Sequence, residues 1–226
     1  MSAPAALVLR PEPGNAATCA RLAAAGIVPR PLTLFAARTL AWSPPDPAAY
    51  DAVLFTSANA PRLAGTPLGA LTRLPALAVG AATAAAARAA GFAVALTGTN
   101  DAAHLLEDAR AAGFHRPLHL AGREHHATGA TTIPVYATDP VPLTPRALAA
   151  AIKAAPIALL HSPRAAAHFA MAIDAAGIDR SRVGIAALSP AVLAAAGGDW
   201  AWTACPDTPD DAALVRLIAA RACRDD

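Results

Sequence analysis

The sequence has few of the residues that build metal sites or disulfide frameworks. Its three cysteines, Cys19, Cys205 and Cys223, are odd in number, far apart and never in a CxxC pair. This usage fits a reducing compartment and indicates neither a zinc site nor a disulfide framework. Seven histidines are present, yet no HExxH pattern occurs among them. We therefore expect no bound metal.

Long apolar runs, basic stripes and nucleotide-binding motifs are also missing. Every run of about 18 residues contains a charged, polar or proline residue that interrupts it, so no transmembrane helix is expected. The first ten residues carry no basic segment ahead of their apolar stretch and are typical of a strand, not a signal peptide. The net charge is only +2, and no basic stripe suggests nucleic acid. No GxGxxG motif or P-loop lysine occurs, so no nucleotide cofactor is expected. We expect a cytoplasmic monomer without cofactor, since no apolar stripe indicates a partner.

What the sequence has in abundance is alanine. The chain of 226 residues is 55% hydrophobic but only 4% aromatic, and alanine is the strongest helix former. Short apolar runs alternate with alanine-rich runs that often close on glycine. Strands are predicted at Ala5–Leu9, Ala52–Thr56, Leu77–Val79, Ala93–Thr97, Leu118–Leu120, Ile157–His161, Gly184–Leu188 and Trp200–Ala204. Helices are predicted at 15–25, from Ala58, at 81–90, 102–112, 143–155, 163–176, 190–196 and 208–222, with Asn15 and Thr144 as N-caps. This alternation predicts an α/β protein with parallel sheets flanked by helices.

An internal echo predicts two similar lobes. Ser57 and Ser162 both end a predicted strand and open a helix, and two further segments recur at nearly the same offset. The connections between lobes are the proline-rich stretches Val28–Pro31 and Val135–Pro145. Their β-like runs could pair as a two-stranded hinge. The predicted division is a discontinuous lobe of residues 1–33 with 143–226, an inserted lobe of 38–132, and hinge strands at 34–37 and 133–142.

The candidate site follows from the predicted topology. Ligands of open α/β sheets bind outside the carboxyl ends of the strands. Those ends are small, polar and followed by helix starts, which attract anions through free N–H groups. We therefore expect a polyanionic small molecule in a cleft between the lobes. The strand-end candidates are Arg10, Ser57, Ala58, Asn59, Gly80, Ala82, Thr83, Gly122, Arg123, Ser162, Arg164 and Ser189.

Each candidate has a purely structural alternative. Ser57, Ser162 and Ser189 could be ordinary N-caps. The arginines could be solvated surface residues instead of bidentate carboxylate ligands. Tyr136 could be a packed hinge aromatic or a phenol that donates a proton in the cleft.

Several segments together resemble the uroporphyrinogen-III synthase family. They are Leu7-Val-Leu-Arg-Pro-Glu-Pro-Gly, Val53-Leu-Phe-Thr-Ser-Ala-Asn-Ala, Val79-Gly-Ala-Ala-Thr-Ala, Leu118-His-Leu-Ala-Gly-Arg, Ile133-Pro-Val-Tyr-Ala-Thr, Leu159-Leu-His-Ser-Pro-Arg-Ala and Ile185-Ala-Ala-Leu-Ser-Pro-Ala. Their order and spacing cover nearly the whole chain.

The resemblance implies two α/β lobes, a two-stranded linker and hydroxymethylbilane as substrate. It also implies ring closure to uroporphyrinogen III through loss of water and inversion of ring D. Tyr136 matches the family's linker tyrosine and is the implied catalytic residue. Ser57 and Ser162 match the strand-end serines, and Thr83 matches the threonine after Val-Gly. The alternative is a two-lobed binding protein for a small anionic ligand that performs no catalysis.

Three positions depart from the family pattern. Leu9 stands where the family often has threonine before the arginine. Ser189-Pro-Ala-Val replaces the family's Gly-Pro-Thr-Thr, so any hydroxyl role there is lost or is supplied by Ser189. Between Arg123 and Ile133 only nine residues remain, where the family often has a whole helix. We therefore expect a different wall at this side of the inserted lobe.

Overall fold

The structure is a computed structural model that describes residues 3–99 and 101–222. Cys223 lies outside the described residues. The strands are β1 (Ala5–Val8), β2 (Val28–Pro31), β3 (Phe35–Thr39), β4 (Ala52–Phe55), β5 (Ala76–Val79), β6 (Val94–Gly98), β7 (Pro117–Gly122), β8 (Thr131–Pro140), β9 (Ile157–Leu160), β10 (Gly184–Ala187) and β11 (Trp202–Ala204). The α-helices are α1 (Gly14–Ala24), α2 (Asn59–Leu63), α3 (Ala81–Ala89), α4 (Ala102–Ala111), α5 (Pro145–Ala154), α6 (Pro163–Ala175), α7 (Pro190–Ala196) and α8 (Asp211–Ala222). Short 3-10 helices lie at Pro47–Ala49, Thr66–Leu71 and Arg180–Arg182.

The strands form two sheets, and the expected α/β class with helix-flanked parallel sheets is confirmed. The chain divides into two compact units, Met1–Ala36 with Pro140–Asp226, and Ala37–Asp139. We call them the terminal unit and the inserted unit. No helix among the described residues has both the length and the apolar character needed to cross a membrane.

The terminal unit contains a five-stranded parallel sheet in the order β11-β10-β9-β1-β2. Alternate residues of its strands enter two different cores. Leu7 and Ile185 pack on one face with Phe169 of α6, whereas Val8 and Ala186 pack on the other with helices α1 and α8. All four residues of β10 are buried. Burial on both faces explains why these strands are apolar runs without alternation.

The inserted unit contains the other sheet, in the order β3-β8-β7-β4-β5-β6. Strands β4 to β8 pair in parallel. Val53 and Phe55 of β4 face one core, where the Phe55 ring meets Phe92 edge-to-face at 5.2 Å. Ala52 and Leu54 face the second core, against Leu105 and other residues of α4. The central strand β4 is buried along its whole length.

Strands β3 and β8 are neighbours and run in opposite directions. Val141 N–H donates to Leu34 O at 2.9 Å, and Leu40 N–H donates to Val135 O at 3.0 Å. The partner numbers rise on one segment as they fall on the other, which is the antiparallel pattern. The first hinge strand was predicted at 34–37, and β3 spans Phe35–Thr39.

Two sequence predictions about the terminal unit are wrong. Val28–Pro31 is not a connection, because it forms edge strand β2 and pairs with β1. An edge strand tolerates proline, whose missing N–H would break a central ladder. Asn15 is not an N-cap, since α1 begins at Gly14 and its N-cap residue is Pro13. Instead the buried Asn15 amide donates to Val8 O at 2.9 Å and to Arg10 O at 2.8 Å. Its side chain therefore ties the end of β1 to α1.

We expect Gly184→Ala to destabilise the protein by about 1–3 kcal/mol, the usual cost of overpacking. Gly184 lies opposite Trp202 in the sheet, and a Cβ there would overlap the Trp202 ring. Arg221 stacks on the same ring at 4.4 Å, which limits its movement. Urea denaturation measures the difference. Gly198→Ala is the matched control, because its Cβ would meet nothing within 4 Å. Equal denaturation midpoints for the two variants would contradict this expectation.

Candidate functional site

The inserted unit has a cavity of about 560 Å³ at the carboxyl ends of its parallel strands. Strands β4, β5 and β7, the start of α4 and the loop after β7 all contribute to it. Its lining is Thr56, Ser57, Val79, Asp101, Ala102, Ala103, Gly122, Glu124, His125, His126, Ala127, Thr128 and Tyr136. Three predicted site residues, Ser57, Gly122 and Tyr136, therefore share one cavity.

Tyr136 is held against the backbone of Gly122. The register of β7 and β8 shifts between Ala121 and Gly122, so that Tyr136 lies opposite Gly122. Such an irregularity re-aims a side chain. A Cβ on Gly122 would lie 2.8 Å from Tyr136 Cζ and 3.0 Å from its Oη. Only glycine at position 122 therefore leaves room for this ring, which is half-buried.

A buried histidine lies beside the cavity. His119 belongs to β7 and is 1% exposed. Its Nε2 is 3.0 Å from Thr56 Oγ1, and its Nδ1 is 3.3 Å from Thr128 Oγ1 and 3.4 Å from Thr132 Oγ1. Burial, together with the nearby His125, lowers the pKa of His119 to about 4. His119 is therefore a neutral imidazole satisfied by hydroxyl groups.

The loop of residues 123–130 follows β7 and contains no helix. His125 is exposed on it, and its Nδ1 is 2.9 Å from Gly122 O. Because a carbonyl only accepts, this nitrogen carries the proton. The rings of His119 and His125 meet edge-to-face at 5.8 Å. This loop thus supplies a histidine-bearing wall to the cavity.

The two carboxylates of the cavity have partners of their own. Asp101 caps α4, accepting from His104 N at 3.0 Å and pairing with His104 Nδ1 at 2.9 Å. Hydrogen bonds from the backbone and side chain of His104 lower the pKa of Asp101. Glu124 pairs with Arg123 Nε at 3.0 Å. Arg123 is exposed and also pairs with Asp139, so its predicted role as a substrate ligand stays a prediction.

The other candidates of the inserted unit have clear backbone roles. Ser57 Oγ accepts from Asn59 N at 3.2 Å, at the start of the five-residue helix α2. Gly80 has φ +82°, a conformation that favours glycine, and precedes α3. Thr83 is 5% exposed inside α3 and does not line the cavity. Ala58 and Asn59 are half-buried and Ala82 is exposed. Their predicted contact with substrate remains untested.

The terminal unit holds a charged cluster around Asp211 at the start of α8. Asp211 accepts from Thr18 Oγ1 and pairs with His161 Nε2, both at 2.8 Å. Arg21 and Arg10 pair with the same carboxylate at 2.7 and 3.4 Å. Burial opposes ionisation of Asp211, but the hydrogen bonds from His161 and Thr18 hold its pKa below the ordinary value. The pKa of His161 is also lowered, in this case by burial, which disfavours the charged imidazolium. The cluster binds β1, α1, β9 and α8 together.

The remaining candidates lie in the terminal unit. Arg10 is partly engaged by Asp211, and its guanidinium lies over Gly14, where a Cβ would overlap it. Ser162 and Ser189 are N-caps, accepting from Ala165 N at 3.2 Å and Val192 N at 3.4 Å. Arg164 lies over the Phe35 ring at 4.5 Å. Capping and stacking explain these side chains without excluding contact with a ligand.

Sequence reasoning missed the three threonine hydroxyls that surround His119 and the cluster around Asp211. For His119 a signal existed, because it interrupts an apolar predicted strand and a buried polar group requires partners. Which threonines would supply them depends on pairing between β4, β7 and β8, which no local pattern reveals. Within the described part of the chain, no group of three or more His, Cys, Asp or Glu residues could hold a metal ion.

We expect His119 to make stability pH-dependent between pH 6.5 and 4. Its folded pKa of about 4 lies below the ordinary value of 6.5, so the unfolded chain binds the proton first as pH falls. The contribution of His119 to the free energy of unfolding is therefore fully present above pH 6.5. It declines towards pH 4 by at most about 3 kcal/mol. Urea denaturation across this range measures it.

The comparison variant is His119→Gln, which cannot titrate. Its deficit in stability relative to the wild type should shrink as the pH falls. His115→Gln, at an exposed side chain of the same unit, serves as control and should run parallel to the wild type. A constant deficit for His119→Gln would contradict the buried neutral imidazole.

Known proteins match both the sequence and the fold. The family model HEM4, described as uroporphyrinogen-III synthase HemD, matches residues 18–216. No curated relative matches at a significant level. The crystal structure of uroporphyrinogen-III synthetase from Helicobacter pylori matches with TM-score 0.68 and 16% identity, over 96% of this chain and 99% of that one. A mutant uroporphyrinogen III synthase from the extremely thermophilic bacterium Thermus thermophilus matches with TM-score 0.53 and 14% identity, over 99% and 100%. These structural matches show the shared fold, and the family model covers most of the sequence. The chain therefore belongs to the uroporphyrinogen-III synthase family.

Proposed function

We infer that the protein is a uroporphyrinogen-III synthase, a cyclising lyase of porphyrin biosynthesis. It closes hydroxymethylbilane into uroporphyrinogen III with loss of water and inversion of ring D. The match of the family model to residues 18–216 carries this inference. The presence of Tyr136, the family's linker tyrosine by motif, in a strand-end cavity supports it.

The reaction demands conformational control more than a strong nucleophile. Hydroxymethylbilane carries eight carboxylates, and its uncatalysed closure gives the uninverted isomer. An enzyme must therefore hold the chain so that ring D attacks through its substituted carbon. The start of α6, where Ser162 is the N-cap, leaves further N–H groups that suit carboxylates. Arg10 and Arg123 add positive charge near strand ends in the two units.

Tyr136 is the group we assign to departure of the hydroxyl. Its phenol donates a proton to the hydroxymethyl oxygen of ring A. The C–O bond then breaks, water departs, and ring A becomes an azafulvene. The substituted carbon of ring D then attacks the methylene carbon to form a spiro-pyrrolenine. That intermediate fragments and recloses with ring D inverted. The proton lost as the pyrrole regains aromaticity returns to the phenolate, so the enzyme ends unchanged.

A binding protein without catalysis is the alternative that the same fold would allow. Helix starts and arginines at strand ends suit any small polyanion. Turnover separates the two, since only the enzyme changes the isomer that forms.

We also infer a cytoplasmic monomer that needs no cofactor. Gel filtration tests the monomer, and activity in the presence of a chelator tests the lack of a metal requirement.

The decisive experiment is a coupled assay. Purified deaminase generates hydroxymethylbilane, the protein is added, and the oxidised products are resolved into type I and type III isomers. We expect type III to predominate. Persistent type I product from folded protein would refute the synthase and leave the binding protein.

In the same assay we expect Tyr136→Phe to lower kcat by about 10-fold to 100-fold. The full range of general acid catalysis is about 10²–10⁴, but the hydroxyl also leaves without an enzyme, so the effect should lie at or below the lower end. An unchanged kcat would make Tyr136 a structural residue while leaving the synthase intact.

Gly122→Ala separates the position of the phenol from its chemistry. The new Cβ would meet the Tyr136 ring at 2.8 Å and displace it while the hydroxyl remains. We expect a fall in kcat comparable with that of Tyr136→Phe. Gly69→Ala in the same unit is the control, since a Cβ there meets nothing within 4 Å. If Gly122→Ala retains full activity, the observed position of the ring is not the one used in the reaction.

A further inference from the structure

One buried side chain connects three of the segments that surround the cavity. His119 reaches Thr56 at the end of β4, Thr128 on the loop of residues 123–130, and Thr132 on β8. Beside it, the loop contributes Glu124, His125 and three further residues to the cavity wall. The Thr128 contact to His119 ties this loop to the sheet.

We propose that His119 is a positioning residue that holds the 123–130 loop so that His125 binds a carboxylate of the substrate. The proposal rests on the proposed function, because it names one contact of the same substrate. It deepens that function by assigning a role to the loop that forms one wall of the cavity.

The first step of the argument concerns His125. Its Nδ1–H donates to Gly122 O at 2.9 Å, so the tautomer is set and Nε2 is the nitrogen left for a ligand. The edge-to-face contact with the His119 ring at 5.8 Å holds the same imidazole from a second side. With a proton also on Nε2, the ring donates a charge-assisted hydrogen bond to a substrate carboxylate.

The second step concerns the charges that surround the cavity. Asp101 and Glu124 are acidic, but His104 and Arg123 pair with them. His119 is a neutral group beside His125, Tyr136 lines the same cavity, and His126 is the chain neighbour of His125. Among the described lining residues the two exposed histidines are the only basic side chains. Of these, His125 has an orientation defined by its contacts with Gly122 and His119.

The third step concerns why His119 is suited to this task. Threonine hydroxyls can donate or accept, so an imidazole satisfies hydroxyls on both of its nitrogens at once. A residue with a single polar end could keep either the contact to Thr56 or those to Thr128 and Thr132. Loss of the imidazole would therefore release the loop from β4 and β8, and with it the fixed position of His125.

A double-mutant cycle tests this arrangement. The variants are His119→Gln, His125→Ala and the double variant, with His115→Ala as the matched control on an exposed side chain outside the cavity. Three quantities are measured: KM and kcat for hydroxymethylbilane in the isomer-resolved assay, and the Kd of uroporphyrin III by isothermal titration calorimetry. Thermal unfolding of each variant confirms that it is folded.

We expect each single variant to raise KM and Kd by about 10-fold, the effect of one lost charge-assisted hydrogen bond. The change in kcat should stay within about 2-fold. Because His119 acts through His125, the double variant should be no worse than the poorer single variant. A double variant whose defect is the product of the two single defects would overturn the proposal, as would an unchanged KM in His125→Ala.

Thr128→Val provides a milder release of the loop if His119→Gln does not fold. It removes only the hydroxyl between the loop and His119, and the same non-additivity with His125→Ala is expected. Failure of the proposed function has a different signature. If the wild type forms no type III isomer, the function fails, and the cycle on Kd alone still decides the role of His119. If type III forms while the effects multiply, the function stands and only the positioning role is lost.

Discussion

Burial of short parallel strands on both faces is the constraint from which the rest of the structure follows. Strands β4 and β10 have no exposed residue, and each sends alternate side chains into two separate cores. Such strands cannot carry polar side chains along their length without partners. Polar residues therefore gather where the strands end, and the carboxyl ends in the inserted unit surround a cavity.

The exceptions to this rule are the polar groups that organise the site. His119 lies inside β7 and is tolerated because three threonine hydroxyls surround it. Asn15 and Asp211 perform the same task in the terminal unit, where they tie strand ends to helices. Each is buried or nearly so and each bonds across elements. Such groups stabilise only one arrangement of the chain, since any other leaves them unpaired in an apolar environment.

Local sequence patterns predicted the elements well where propensity and periodicity agreed. The Thr144 cap was predicted, and caps at Ser162 and Ser189 were the structural alternative to a ligand role. Each of these hydroxyls accepts from the third residue of its helix. The prolines of Val28–Pro31 led to the wrong prediction of a connection. Whether such a segment pairs as an edge strand depends on the sheet and not on the segment itself. The prediction of Asn15 as an N-cap was wrong for a similar reason, since asparagine suits both an N-cap and a buried hydrogen bond to backbone carbonyls. Ser57, Gly122 and Tyr136 were chosen from strand ends and motifs, and they do line one cavity.

The sequence by itself determined the α/β class, the position of most strands and helices, and the family to which the chain belongs. These depend on contacts between near neighbours or on motif order, which a linear pattern contains. Only the tertiary structure decided that Tyr136 lies on Gly122, that His119 bridges three segments, and that Asp211 gathers Arg10 and His161. The reason is physical: each of these contacts joins residues that lie from about ten to two hundred positions apart, and sheet register together with the packing of helices on the sheets brings them together.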